Sequence, residues 1–179
     1  MDLGFPTKFE VLKILKNLSN SRCSAIDGLD NFIIKIASDL ILDPLHHIIV
    51  LSIMQEKFPS DWKLAKVIPL HKKEDTLSPK NYRPVSILSP ISKVLERVVY
   101  NQLYKYFSAN KILHTSLHGY RQNRSTLTAL LQMYEKWAHA ASDGKVSGAV
   151  FLDLSAAFDL MPPDILQKKL RIYRLQTVS

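Results

Sequence analysis

The sequence predicts a helix-rich α/β (α+β) fold, and three observations predict it. Apolar residues recur at helical spacing over several segments, with charged residues between them. Two short apolar, β-branched runs flank one polar, basic stretch, which is the pattern of a hairpin. A later apolar run, 149–152, is uninterrupted, as in a strand covered on both faces.

Taken in order, Thr7 and Glu10 have the capping-box spacing, and Phe9, Leu12, Leu15 and Leu18 follow at three-residue steps. A helix is expected over residues 8–18, with those four residues on its apolar face. Residues 19–28 are polar and end in Asp27-Gly28, a turn signal. A helix over 31–42 follows. Asp43 then caps another with Pro44 in its first turn, where a missing N–H costs nothing; it should end near Phe58-Pro59. Residues 65–71 and 84–88 read as two strands joined by the basic loop 72–83. Ser89-Pro90 opens a helix whose Ile91, Val94, Leu95, Val98 and Leu103 keep helical spacing. Ser125 caps a helix running to about Ala141, ended by the turn Ser142-Asp143-Gly144. Residues 146–152 read as a strand with Asp153 at its carboxyl end, and Pro162-Pro163-Asp164 starts a last, basic helix.

Composition narrows the function. The 179 residues carry 24 Lys plus Arg against 16 Asp plus Glu, a formal net charge of +8 that favours a polyanionic partner through counterion release. The single cysteine, Cys23, excludes an internal disulfide and any cysteine-based zinc cluster. The most apolar stretch, 32–54, is interrupted by Lys35, Asp39, Asp43 and Pro44, so no membrane partner is expected. The first residues lack the basic-then-apolar order of a secretory signal, so secretion is not expected.

Three segments carry candidate chemistry. In 151–159, Asp153 leaves an apolar strand, where a carboxylate is costly to desolvate unless a divalent cation compensates it; alternatively, Asp153 caps the following helix. In 62–88, a basic hairpin can close over a triphosphate, with lysine as a point charge and Arg83 as a bidentate fork, or it is a solvated tip. In 116–126, Gly119-Tyr120-Arg121 offers close backbone approach, a stacking ring and a guanidinium for nucleic acid, or it is a loop before a capped helix.

In order and wording, these blocks resemble the reverse transcriptase domain of non-LTR, LINE-type retrotransposons. The likeness starts at the Asp27-Gly28 turn with Phe32-Ile33-Ile34-Lys35. It continues through 62–88, Ser92-Lys93-Val94-Leu95-Glu96-Arg97 and Gly119-Tyr120-Arg121, and ends with 151–159. The resemblance implies the fingers of a right-hand polymerase over 1–145 and the start of its palm over 146–179, an incomplete domain. Asp153 would be the catalytic carboxylate and, with the carbonyl of Leu154, a ligand of Mg2+. Arg83, Lys72 and Lys73 would contact the triphosphate of a deoxynucleoside triphosphate, and the ring of Phe158 would exclude the ribose 2′-hydroxyl. Asp27, Gly28, Asn81, Tyr82, Gly119, Tyr120 and Arg121 would follow an RNA template and DNA primer. A nuclear or cytoplasmic setting would go with these roles.

The chain departs from the family's pattern at Leu117, usually glutamine, at Glu74, usually glycine, at Asp30, often proline, and at Met161-Pro162. Asp153, Phe158 and Arg83 keep to it. The Ala-Asp-Asp motif that completes the family's carboxylate set does not occur in these residues. One aspartate cannot hold two magnesium ions for in-line displacement, so the chain alone is not expected to polymerise. A strand at 149–152 without a partner is expected to recruit other chains. A second reading is a non-catalytic nucleic-acid-binding remnant of such a domain. A third, a helical interaction protein, leaves the ordered blocks unexplained.

Overall fold

The structure, a computed structural model, describes residues 1–72, 75–154, 157–158 and 160–175. The chain forms two compact units, one comprising Met1–Lys105 and a second starting at Tyr106.

The first unit holds the hydrophobic core. Helix α1, Lys8–Lys16, begins at the expected capping box. The Thr7 N–H donates to the Glu10 carboxylate at 2.8 Å, and the Glu10 N–H donates to Thr7 Oγ1 at 3.2 Å. Its inner face is the expected one only in part: Leu15 and Leu18 lie on it, but Val11 and Ile14 complete it rather than Phe9 and Leu12. Val11 and Leu15 are fully buried, with Ile14 and Leu18 packed beside them, whereas Phe9 is 74% exposed. Steps of three drift around a helix that turns every 3.6 residues, and the contiguous stripe is the i, i+3, i+4, i+7 set beginning at Val11.

The helix expected over 31–42 and the one expected to open at Asp43-Pro44 are divided differently. Helix α2 covers only Asn31–Ile36, capped by Asp30, whose Oδ1 accepts the Ile33 N–H at 2.8 Å. Helix α3 then runs Ser38–Met54 straight through Pro44, so Asp43 does not cap a new helix; its carboxylate instead pairs with Lys8 Nζ at 2.7 Å. Interior proline typically costs about 3 kcal/mol. Here the carbonyl deprived of its donor belongs to Leu40, an exposed residue, while Leu45 and Ile49 on the other side anchor the helix in the core. The helix stops at Met54, short of Phe58-Pro59, because Glu56 takes a left-handed backbone at φ 56°.

Helix α4, Pro90–Ala109, contributes Val94, Leu95 and Val98 to the same core, as its spacing predicted. Its Gln102 binds both backbone groups of Gly4, Nε2 donating to the carbonyl and Oε1 accepting the N–H, each at 2.8 Å. Together with a 2.8 Å bond from His46 Nε2 to the Pro6 carbonyl, this fastens the amino-terminal arm.

Strands β1, Ala65–His71, and β2, Tyr82–Leu88, pair antiparallel, with Ala65 opposite Leu88 and His71 opposite Tyr82. The next pair is bonded from Lys72 N–H to the Asn81 carbonyl at 2.8 Å, which fixes the parity of the ladder. Leu70/Arg83 and Ile68/Val85 are therefore hydrogen-bonded pairs. Pro69 and Pro84, which face each other, form the other kind, whose N–H positions point outward. Neither proline removes a ladder bond.

In the second unit, helix α5, Thr126–Ser142, starts at the expected Ser125 cap and ends before Gly144, at φ 69°. Helix α6 is Pro163–Ile172, where its proline pair predicted. Between them, the expected strand 146–152 is absent. Val150, Phe151 and Leu152 are 86, 82 and 88% exposed, and the described residues offer no strand for their backbone to pair with. Composition had marked residues suited to a covered strand, but a strand exists only with a partner edge. Asp153 thus follows an exposed segment rather than leaving a buried one. Among the described residues no helix is long and apolar enough to cross a membrane.

The capping box also sets a pH response. The Thr7 N–H, followed by its hydroxyl, holds the Glu10 carboxyl below its usual range. A carboxyl depressed on folding adds stability above its unfolded pKa, and that contribution is lost as pH falls through the folded one. Urea midpoints measured down through the carboxylate range are expected to fall more steeply for the wild type than for Glu10→Gln. Parallel curves would remove the capping carboxylate as a cause.

Candidate nucleotide and nucleic-acid interface

The hairpin register sorts its residues by face. Arg83, Val85 and Ile87 share a face with Leu70, Ile68 and Lys66, their cross-strand partners. The Arg83 side chain is exposed and makes no hydrogen bond or ion pair with any described residue, so its guanidinium is available to an anion. Lys72 begins the loop directly beyond the Leu70/Arg83 and His71/Tyr82 pairs. Lys73 lies outside the described residues, as does Asp159.

The opposite face carries Val67, Pro69, Tyr82 and Pro84. The loop residues Thr76, Leu77 and Pro79 join them to line an open cavity of about 680 Å³. This tip is braced internally: Asn81 Nδ2 donates to the Asp75 carbonyl at 2.8 Å, Tyr82 Oη to the Thr76 carbonyl at 2.9 Å, and the His71 and Tyr82 rings lie 5.1 Å apart. The polar groups of Asn81 and Tyr82 thus shape the loop.

Asp27 and Gly28 are likewise held by local geometry. Asp27 Oδ1 accepts the Leu29 N–H at 3.0 Å, and Gly28 sits at φ 73°, a backbone that L side chains rarely adopt. Nearby, the Arg22 guanidinium stacks 3.5 Å from the centre of the Phe32 ring.

In the second unit, the loop bearing Gly119, Tyr120 and Arg121 is fixed from both sides. His118 is bracketed by helix α5, its Nδ1 2.8 Å from Thr128 Oγ1 and its Nε2 2.8 Å from Gln132 Oε1. The sequence reading missed this brace; its signal was a histidine beside the loop with Thr128 and Gln132 four residues apart on one helix face. Arg121 Nη1 donates to the His114 carbonyl at 3.0 Å, and its Nε is buried without a partner among the described residues. Between these anchors Tyr120 is 88% exposed at φ 55°, a left-handed backbone that costs a non-glycine residue roughly 1–2 kcal/mol.

Phe158 is 77% exposed and meets Tyr120 edge to face, the ring centres 5.8 Å apart at 84°. Asp153 and Leu154 are exposed a few residues earlier. Among the described residues no group of three or more His, Cys, Asp or Glu is placed to hold a metal ion. The described residues do not by themselves form a two-metal site.

The profile of the family described as reverse transcriptase (RNA-dependent DNA polymerase) matches residues 70–178, which include Lys72, Arg83, Tyr120, Asp153 and Phe158. Over 169 residues the chain is 30% identical to a probable RNA-directed DNA polymerase from transposon BS of Drosophila melanogaster, covering 90% of this chain and 18% of that protein. It is 28% identical over 175 residues to the RNA-directed DNA polymerase from mobile element jockey of the same species, covering 97% and 19%. A third relative, the retrovirus-related Pol polyprotein from type-1 retrotransposable element R2 of Popillia japonica, is 28% identical over 109 residues, covering 61% and 15%. The chain spans less than a fifth of the length of these relatives.

Proposed function

We propose, because this chain belongs to the reverse transcriptase family in its non-LTR, LINE-type branch, that it holds the incoming deoxynucleotide against an RNA template for a polymerase acting on DNA 3′ ends. The observation that carries this reading is the exposed, unpaired Arg83 on a hairpin face with Lys66, inside the family match. A guanidinium with free donors grips phosphate oxygens bidentately, and Lys72 and Lys73 are assigned to the same triphosphate as point charges. In this reading residues 1–145 are fingers and 146–179 the start of a palm.

Phe158 is the ring that excludes a 2′-hydroxyl, and Asp153 with the Leu154 carbonyl supplies protein oxygens to Mg2+. When bound, that ion neutralises charge on the triphosphate and polarises the attacking oxygen. Asp27, Gly28, Asn81, Tyr82, Gly119, Tyr120 and Arg121 line the path of template and primer. Their contribution is mainly shape, since several of their polar groups are engaged within their own loops.

Binding of a fluorescent RNA–DNA hybrid across a salt series tests the interface. Affinity is expected to fall log-linearly with salt, by about 0.9 decade per decade for each phosphate neutralised. Affinity independent of salt would overturn the interface.

A second reading, a nucleic-acid-binding module without catalysis, is favoured by the finding that no group of three or more His, Cys, Asp or Glu among the described residues is placed to hold a metal ion. The readings part over magnesium and deoxynucleotide, which raise hybrid affinity only in the first. In neither does the purified chain alone extend a primer; template-directed incorporation that Asp153→Ala abolishes would refute both on this point.

A further inference from the structure

Tyr120 and Phe158 lie far apart in sequence and were assigned different roles, one along the template and one at the nucleotide sugar. In the structure they touch, edge to face, 5.8 Å between centres. The contact is not explained by burial, because both rings remain largely exposed. Nor is it a casual loop position: Tyr120 occupies a left-handed backbone, with His118 pinned to α5 on one side and Arg121 pinned to His114 on the other. A strained residue braced from both sides to present its ring to another exposed ring is a device for fixing that second ring.

We propose that Tyr120 is a positioning residue for sugar selection, its ring setting the tilt of Phe158. The proposal rests on the nucleotide-site reading given above. Exclusion of a 2′-hydroxyl works by steric overlap with a single added oxygen, and an aromatic side chain free to change rotamer would simply swing aside. Phe158 has no other aromatic contact among the described residues, so Tyr120 is the neighbour that restricts it. The aromatic ring of Tyr120, not its hydroxyl, does this work.

The test uses the full chain with a primed RNA template presenting adenine. It is photo-crosslinked to the magnesium complexes of 4-thio-dUTP and 4-thio-UTP, and the readout is the ratio of deoxy to ribo capture. Tyr120→Ala is expected to lower the ratio about tenfold or more, the scale on which a pocket discriminates a single small group. Tyr120→Phe should keep the wild-type ratio. Phe158→Ala should abolish the preference, and adding Tyr120→Ala to it should change nothing further, since one residue acts through the other. Should Tyr120→Ala not fold, Tyr120→Asn tolerates the left-handed backbone and removes the ring, with the same expected loss. A wild-type ratio in the ring-deleted variant, or equal loss of both nucleotides, overturns the inference while leaving the nucleotide site standing. A wild-type chain that captures neither nucleotide overturns both.

Discussion

Replacing Ile49 by alanine is expected to destabilise the first unit by about 2–5 kcal/mol, the range for removing a large aliphatic side chain from a closed core. Ile49 is fully buried on α3 among Val11 and Leu15 of α1 and Val94, Leu95 and Val98 of α4. Those neighbours belong to separate helices, so the cavity cannot close by moving one side chain. The loss would be a large share of the roughly 5–15 kcal/mol that stabilises an ordinary domain. Urea unfolding followed by far-ultraviolet circular dichroism reads it directly. Phe9→Ala is the comparison, because Phe9 is larger yet lies 74% exposed, and its effect should stay within about 0.5 kcal/mol. Equal losses for the two variants would contradict the assignment of the inner face of α1.

The second large effect is expected at Arg83. Truncation to alanine removes a bidentate cation from the hairpin face and should weaken capture of a magnesium–deoxynucleotide complex by on the order of 10–100-fold. That corresponds to the roughly 1.5–3 kcal/mol typical of a hydrogen bond to a charged group. Arg83→Lys keeps the charge but loses the planar fork, so it should recover only part of the affinity. Because Arg83 is exposed and unpaired within the described residues, neither change should move the unfolding midpoint appreciably. Retained capture in Arg83→Ala would remove the hairpin from the triphosphate site.

What the sequence disclosed follows a physical division. Features governed by neighbours along the chain were readable: the Thr7–Glu10 and Ser125 caps, the span of β1, and the helical stripe of α4 through Val94, Leu95 and Val98. Features decided by tertiary partners were not. Pro44 reads as a helix start until the anchoring of Leu45 and Ile49 is known, and packing there overrides the local preference. The apolar run at 149–152 shows what could be covered, but composition cannot say whether another strand lies alongside. For the candidate site, the residue types at Arg83, Tyr120, Asp153 and Phe158 were legible as blocks in order. The brace of His118 shows in the sequence only as Thr128 and Gln132 one helical turn apart, and the meeting of Tyr120 with Phe158 depends on three-dimensional closeness that no spacing encodes.

The facing prolines of the hairpin bear on how anything can grip it. Each outer rim of the ribbon lacks a donor near its middle, where Pro69 and Pro84 sit. A foreign segment trying to extend the sheet from either rim would meet a gap in the row of bonds it needs. The exposed hairpin can therefore avoid welding to other chains along its rims, and whatever recognises it must do so through the side chains of its broad surfaces.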